Sequence, residues 1–373
     1  FFRNEEEPLY RNLAQKSLQI SGGIMAVAGP LFSMLRGDFL LPVGLVFAVV
    51  GLLYLAAYVG TRGISDDLAY YTAVGIALTG GIVLLITLGR SLISENGSRY
   101  FVSYGIILVF LAVLYITVGL IASSDRPLFI LTRRELGAFF YSPIAYLALL
   151  GFSLCWWGSY WTFLSNLFES SGPQMIEPIV RNYYFSLVPV ITLLALVPAL
   201  TMRLLSEEMR SGTMEVLLTA PVDEPAIVLS KFLATLITYM VMWIPSGLFL
   251  LGITLSGGTP FDYRPMLSFI LVVLVTGASF VSMGLFFSSL TKSQIASFVI
   301  TFAAMIGLLV VYFAGFIKQD NTWETVFKHL SFLDLWFSTL EGKIVPKFLL
   351  FPLSMTVLFL FMTVKVLESR KWR

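Results

Sequence analysis

The chain has 373 residues, of which 57% are hydrophobic and only 12% charged, with a mean hydropathy of +0.87. A soluble domain carries about 25% charged and about 45–50% apolar residues, so this composition places the chain among polytopic membrane proteins. A net charge of +2 advertises no surface for nucleic acid, and one cysteine, Cys155, excludes an internal disulfide or a cysteine metal cluster. One histidine, His329, cannot supply a bis-histidine haem. No metal and no cofactor are expected.

The sequence opens on Phe1 rather than Met and reads as processed or trimmed, without a legible signal peptide. Residues 1–16 are polar, with Glu5, Glu6 and Glu7 together, and read as a solvated segment. A spanning helix needs about 20 predominantly apolar residues. Nine stretches meet that: Phe39–Gly60, Ala69–Gly89, Phe101–Ala122, Pro143–Leu164, Tyr183–Met202, Phe232–Leu255, Met266–Leu290, Ile295–Ile317 and Phe348–Val364. A tenth, Leu18–Leu35, is weakened by Gly22, Gly23, Gly29 and Pro30. With ten spans and a cytoplasmic N-terminus, 15 of the 24 Lys and Arg fall on the cytoplasmic face, the direction the positive-inside rule requires. Nine spans would move only the N-terminus.

The expected fold is an all-α polytopic membrane protein divided near Asp125: about four helices in 1–125, then six spans in 126–373. Arg126–Tyr141 sets Arg133, Arg134 and Glu135 against Leu131, Leu136, Phe139 and Phe140. That mixture suits a helix lying in the interface, with a simple charged linker as the plainer alternative. None of the nine clear spans holds an Asp, Glu, His, Lys or Arg in its interior. Carriers coupled to protons or ions ordinarily mark their pathway with such residues, so a secondary carrier has little support. No G-x-x-x-x-G-K-[ST] phosphate loop is present either, so any nucleotide chemistry belongs to another chain.

Between spans, Arg203–Ser230 forms a long cytoplasmic loop. Met209, Thr213, Val216, Leu217 and Ala220 recur at helical spacing and predict one apolar face, with Glu208, Arg210 and Glu215 off it. Pro221 should stop this helix, with Asp223 capping the next and Pro225 in its first turn. Such a helix is either a lever for a soluble partner or an ordinary surface cap. Pro189, Pro198 and Pro245 interrupt spans, as hinges or as static kinks.

The segment Glu207–Val222, E-E-M-R-S-G-T-M-E-V-L-L-T-A-P-V, resembles the hallmark cytoplasmic segment of ABC transporter type-2 permeases, in the branch with gliding-motility and nitrous-oxide-reductase accessory permeases. Arg133-Arg134-Glu135-Leu136 with Tyr141-Ser142-Pro143, His329–Ile344 and Leu367–Arg373 resemble further segments of that family in order. The resemblance covers about two-thirds of the chain. It implies the permease half of an ABC transporter in the cytoplasmic (inner) membrane of a bacterium, paired with a second permease subunit and with cytoplasmic ATPases. It makes Arg133, Arg134 and Glu135 part of a connecting helix. Glu207, Glu208, Arg210, Gly212, Thr213, Glu215, Leu217, Leu218 and Pro221 become ATPase-coupling residues, with the glutamates facing basic residues of the ATPase or of the connecting helix. Gly212 would allow a bend or a close approach. A non-transporting membrane scaffold remains the alternative. The helices of 1–125 have no counterpart in the six-span family core; Gly75, Gly80 and Gly81 suggest close packing there. The outer segment Lys318–Lys347 reads as an interfacial helix pair with its aromatics at the headgroups.

Overall fold

A computed structural model of the chain describes residues 8–34, 40–62, 67–93, 105–124, 126–168, 179–184, 187–214, 222–255, 264–317, 326–327, 329–341, 343 and 345–371. The longer elements are all helices: α1 Pro8–Met34, α2 Leu40–Arg62, α3 Asp67–Ile93, α4 Gly105–Ser123, α5 Pro127–Tyr141, α6 Pro143–Phe168, α7 Ile179–Tyr184, α8 Leu187–Thr201, α9 Ser206–Ser211, α10 Glu224–Met242, α11 Ile244–Leu255, α12 Arg264–Leu290, α13 Gln294–Ile317, α14 Phe332–Leu340 and α15 Pro346–Lys371. Helices keep every backbone N–H and C=O bonded within the segment, which hydrocarbon requires. Among the described residues, nine stretches are long and apolar enough to cross a bilayer, or ten if the bent pair Leu108–Ser123 and Pro127–Tyr141 counts as one. The glycine-weakened first stretch is among the nine. The chain divides into two compact units, 1–130 and 131–373.

The first unit is built from close-packed helix pairs, α1 with α2 and α3 with α4. A Cβ at Gly29 would lie 2.6 Å from the Cα of Ala48, and one at Gly80 would lie 2.7 Å from the carbonyl oxygen of Ala112. Only hydrogen fits at either position, so the backbones meet directly, as small residues permit in lipid. Gly75 and Gly81 meet nothing within 4 Å. The pairs are joined by Tyr115 of α4, buried, whose hydroxyl donates to the carbonyls of Ala48 at 2.7 Å and Ala26 at 3.2 Å.

The second unit is organised around α12, which carries apolar or small hydroxyl side chains on every face and is largely buried. Thr276, Ser279 and Ser282 donate to carbonyls of their own helix, so their burial leaves no hydroxyl unpaired. Toward one end lies an aromatic core of Phe152, Trp156, Tyr183, Tyr184, Trp243, Phe269 and Trp336, with ring centroids 4.9–6.1 Å apart in successive pairs. Trp336 is 1% exposed, and its indole N–H donates to Thr276 at 3.1 Å. This corrects the interfacial reading of the outer segment: α14 is buried along Phe332, Leu333, Leu335, Trp336 and Leu340. Trp323 lies outside the described residues. By contrast, α6 turns Leu147, Leu150, Leu154, Trp157 and Trp161 outward as one stripe, the face expected of a helix in lipid. The α10–α11 run breaks at Trp243, just before Pro245.

Candidate functional site

At the end of α8 the chain turns through Met202–Leu205 into the short α9. No side chain of its own caps α9. Instead Ser288 of α12 places one hydroxyl 3.1 Å from the backbone N–H groups of both Leu205 and Ser206, and donates to the carbonyl of Met202 at 3.3 Å. The close approach is possible because α12 has Gly284 there, where a Cβ would lie 2.7 Å from the Cβ of Thr201. Arg203 reaches Ser142, at the junction of α5 and α6, at 3.5 Å. The turn is thus held from two sides.

Beneath this turn four charged side chains line up. Lys231, in the second turn of α10, is 3% exposed. Its ammonium lies 2.7 Å from Glu208 Oε1 on α9 and 3.1 Å from Glu135 Oε2 on α5. The other oxygen of Glu135 pairs with Arg134 at 3.1 Å. Glu135 and Glu208 are 14% and 20% exposed, whereas Arg134 is 59% exposed. The row is formally neutral, and its inner lysine binds two helices to a third. Lysine suits the position because its compact ammonium has three donors that can be shared between separate carboxylates. Glu208 Oε2 is buried and has no hydrogen-bond partner in the structure.

The outward face of the same turn is different. Glu207, Arg210, Ser211, Gly212 and Thr213 are not buried, while Ser206, Met209 and Met214 are. Gly212 ends α9 with φ 74°, a left-handed C-cap with open space around its Cβ position, so its role is the bend and not close approach. Gly212→Ala should therefore cost about 1 kcal/mol through the left-handed backbone alone, read as a small fall in unfolding midpoint.

The expected continuous helix with Met209 and Thr213 on one face is corrected here. The bend at Gly212 resets the helical phase, so Met214 is buried and Thr213 exposed. Glu208, placed off the apolar face by periodicity, points inward to Lys231. Glu215, Leu217, Leu218 and Pro221 lie outside the described residues. Of the connecting-helix residues, Glu135 joins the cluster, Arg134 borders it, and Arg133 is half-buried. Asp223 and Pro225 do open α10, although the Asp223 side chain makes no cap bond. Lys231 is the site residue that the sequence reading does not single out. Hydropathy makes it the flank of a span beginning at Phe232, but α10 starts at Glu224, and a stretch apolar enough to cross the bilayer runs Glu224–Leu250. Helix α10 thus begins before the expected bound at Phe232, and Lys231 stands within its first turns, paired. A lysine one turn after the first apolar residues of a helix is the signal that could have found it.

Residues 162–320, from the end of α6 past α13, match the family model described as "ABC-2 family transporter protein". That stretch contains Glu208 and Lys231, while Glu135 precedes it. No curated protein and no solved structure matches the chain.

Proposed function

We propose that this chain, which belongs to the ABC-2 transporter permeases through residues 162–320, is a multi-pass membrane subunit driven by ATP hydrolysed in a separate ABC ATPase. We assign it to the bacterial inner membrane, partnered by a second permease subunit, and on Glu207–Val222 to the gliding-motility and nitrous-oxide-reductase accessory branch. The 1–125 helices are an addition to a six-span core beginning near 126.

The observation that carries the reading is the two-sided turn at α9. Its outer face offers Glu207, Arg210 and Thr213 to a cytoplasmic protein, and its inner face is ion-paired through Glu208 to Lys231 of α10 and thence to Glu135 of α5. A push on the outer face is thereby delivered to a spanning helix and to the connecting helix together. Transport then proceeds as a rigid-body switch between packings, a class of transition that needs no charge within the pathway. The Glu207 and Arg210 side chains supply the charge complementarity that orients an ATPase surface.

The test is affinity purification of the chain from its native membranes, followed by ATPase assay. An ABC ATPase should be retained in stoichiometric amount, and the pair Glu207→Lys with Arg210→Glu should lower the retained ATPase turnover about tenfold or more, the scale of a reversed charge pair at a protein interface. Retention of full turnover by that variant would falsify α9 as the coupling surface. A stable complex with no nucleotide-binding protein would replace the transporter reading with the scaffold reading.

A further inference from the structure

We infer that the ion pair Arg181–Glu341, at the far end of the second unit's aromatic core, is a latch whose closure is set by the Lys231 cluster through α10. The inference rests on the coupling role proposed for that cluster. From Lys231 to Trp243, α10 is uninterrupted, a rise of about 18 Å at 1.5 Å per residue. Just past the break, α7 hydrogen-bonds to the first turn of α11. The hydroxyl of Tyr183 donates to the carbonyl of Ser246 at 3.1 Å, and that of Tyr184 lies 3.4 Å from the Ser246 hydroxyl. Both tyrosines are buried.

Just before them on α7, Arg181 pairs with Glu341 Oε1 at 3.0 Å and lies 3.9 Å over the ring of Phe337. Glu341 is the C-cap of α14, and α14 is pinned to α12 by Trp336, whose ring is 5.7 Å from that of Trp243. The break in α10–α11 therefore touches both halves of the latch, α7 through Ser246 and α14 through Trp243. A tilt of α10 moves both contacts at once. Helix α7 has only six residues and cannot hold its own position. Its place is fixed by these tyrosines on one side and by Arg181 on the other. The side chains of Arg181 and Glu341 are 37% and 28% exposed. Solvent reaches the pair, so it can open at little cost, unlike the buried lysine.

The two arrangements can be told apart with the latch intact. Asn182→Cys and Lys343→Cys, both at exposed positions, flank it, and Cys155→Ala removes the native thiol. Lys343 pairs at 3.5 Å with Glu341 Oε2, the oxygen that Arg181 does not hold, so the chain carrying both cysteines is the reference for every comparison. The rate at which a short bifunctional thiol reagent joins the two cysteines is measured in membranes containing the full chain. Arg181→Gln should slow the reaction as α7 leaves α14. Lys231→Met should slow it in the same direction, by about fivefold or more, the usual scale of coupling between sites. Adding Tyr183→Phe, which removes one hydroxyl and little volume, should diminish the effect of Lys231→Met, since only the Tyr184 and Trp243 contacts then remain, while leaving that of Arg181→Gln. An unchanged rate in Lys231→Met overturns the inference, as does an effect that survives Tyr183→Phe undiminished. If Lys231→Met fails to insert, Glu135→Gln, which leaves Lys231 paired to Glu208, takes its place: slowing that Tyr183→Phe diminishes supports the latch, and an unchanged rate, or slowing that Tyr183→Phe leaves undiminished, overturns it. No ATPase enters this assay, so a failed latch and a failed coupling surface give separate results.

Discussion

Lys231→Met should destabilise the protein by about 3–5 kcal/mol, the loss seen when one partner of a buried ion pair is removed and the other is stranded. The effect should fall within that range because two carboxylates lose one ammonium together, Glu208 keeping no ion-pair partner among the described residues and Glu135 keeping only the exposed Arg134. Glu135 Oε2 and Glu208 Oε1 both lean on one ammonium, at 3.1 and 2.7 Å, and neither side chain is more than 20% exposed. Without the lysine they repel each other across a poorly hydrated space. Lys231→Arg keeps the charge but presents a planar fork to acceptors arranged around a point, and should recover only part of the loss. The triple variant Glu135→Gln, Glu208→Gln, Lys231→Met removes every charge of the inner cluster. Its stability should return to within about 1–2 kcal/mol of the parent, since an uncharged replacement of a whole buried group is often near neutral. Unfolding in mixed micelles measures these differences. If the triple variant is as unstable as Lys231→Met alone, the cluster's contribution is packing and the electrostatic account fails. On the proposed coupling to an ATPase, the same triple variant, stable but without its ion pairs, should retain ATP hydrolysis and lose the transport that it drives. That separates holding the fold from transmitting the stroke.

Gly284→Ala should cost about 1–3 kcal/mol, the range for forcing a methyl into a filled interior. The added Cβ would meet Thr201 Cβ at 2.7 Å and Cγ2 at 2.9 Å, and would overlap its hydroxyl more closely still. Thr201 is fully buried, and its hydroxyl donates to the carbonyl of Val197 at 2.9 Å, so a β-branched side chain already committed to one rotamer has nowhere to turn. Relief comes only from parting α12 and α8. That displacement carries Ser288 away from the Leu205 and Ser206 amides and loosens the turn that presents α9. On the coupling proposed for α9, Gly284→Ala should therefore weaken retention of the proposed ATPase as well as stability. Thr201→Gly in the same chain removes all three clashing atoms, and should restore retention even though a glycine in a helix carries its own cost of about 1 kcal/mol. No restoration would mean that Gly284 matters for something other than clearance.

Much of this arrangement is legible in the residue string, and the limits have identifiable causes. Spans are legible because each must be apolar along its own length, a local property; even α1, with Gly22, Gly23 and Gly29, carries enough apolar residues to qualify. The Glu207–Val222 segment points to the family because its residues are contiguous, and the match over 162–320 agrees. The orientation of Glu208 is not legible. Glu208 sits about 100° around α9 from Met209, and only Lys231 of α10 makes that flank an inner one; what Gly212 at φ 74° resets is the phase from Thr213 onward. The burial of α14 escapes the sequence for a similar reason: Trp336 and Phe332 have the composition of headgroup anchors, and only the presence of Thr276 and Phe280 opposite them makes them core.

The scarcity of charge, 12% of residues, determines by itself that the chain lives in a bilayer and that its charges belong near the ends of spans. It does not show that three of those charges, at positions 135, 208 and 231, form one group. They lie far apart in sequence, and each alone reads as an ordinary flanking residue. Their meeting is decided by where α5, α9 and α10 pack, and that is set by the close seat of α8 on Gly284 and by the Ser288 hydroxyl. Composition is a sum over residues and periodicity a sum over neighbours. An ion pair across 96 residues depends on neither, because burial of Lys231 is tolerable only once both carboxylates have been brought to it.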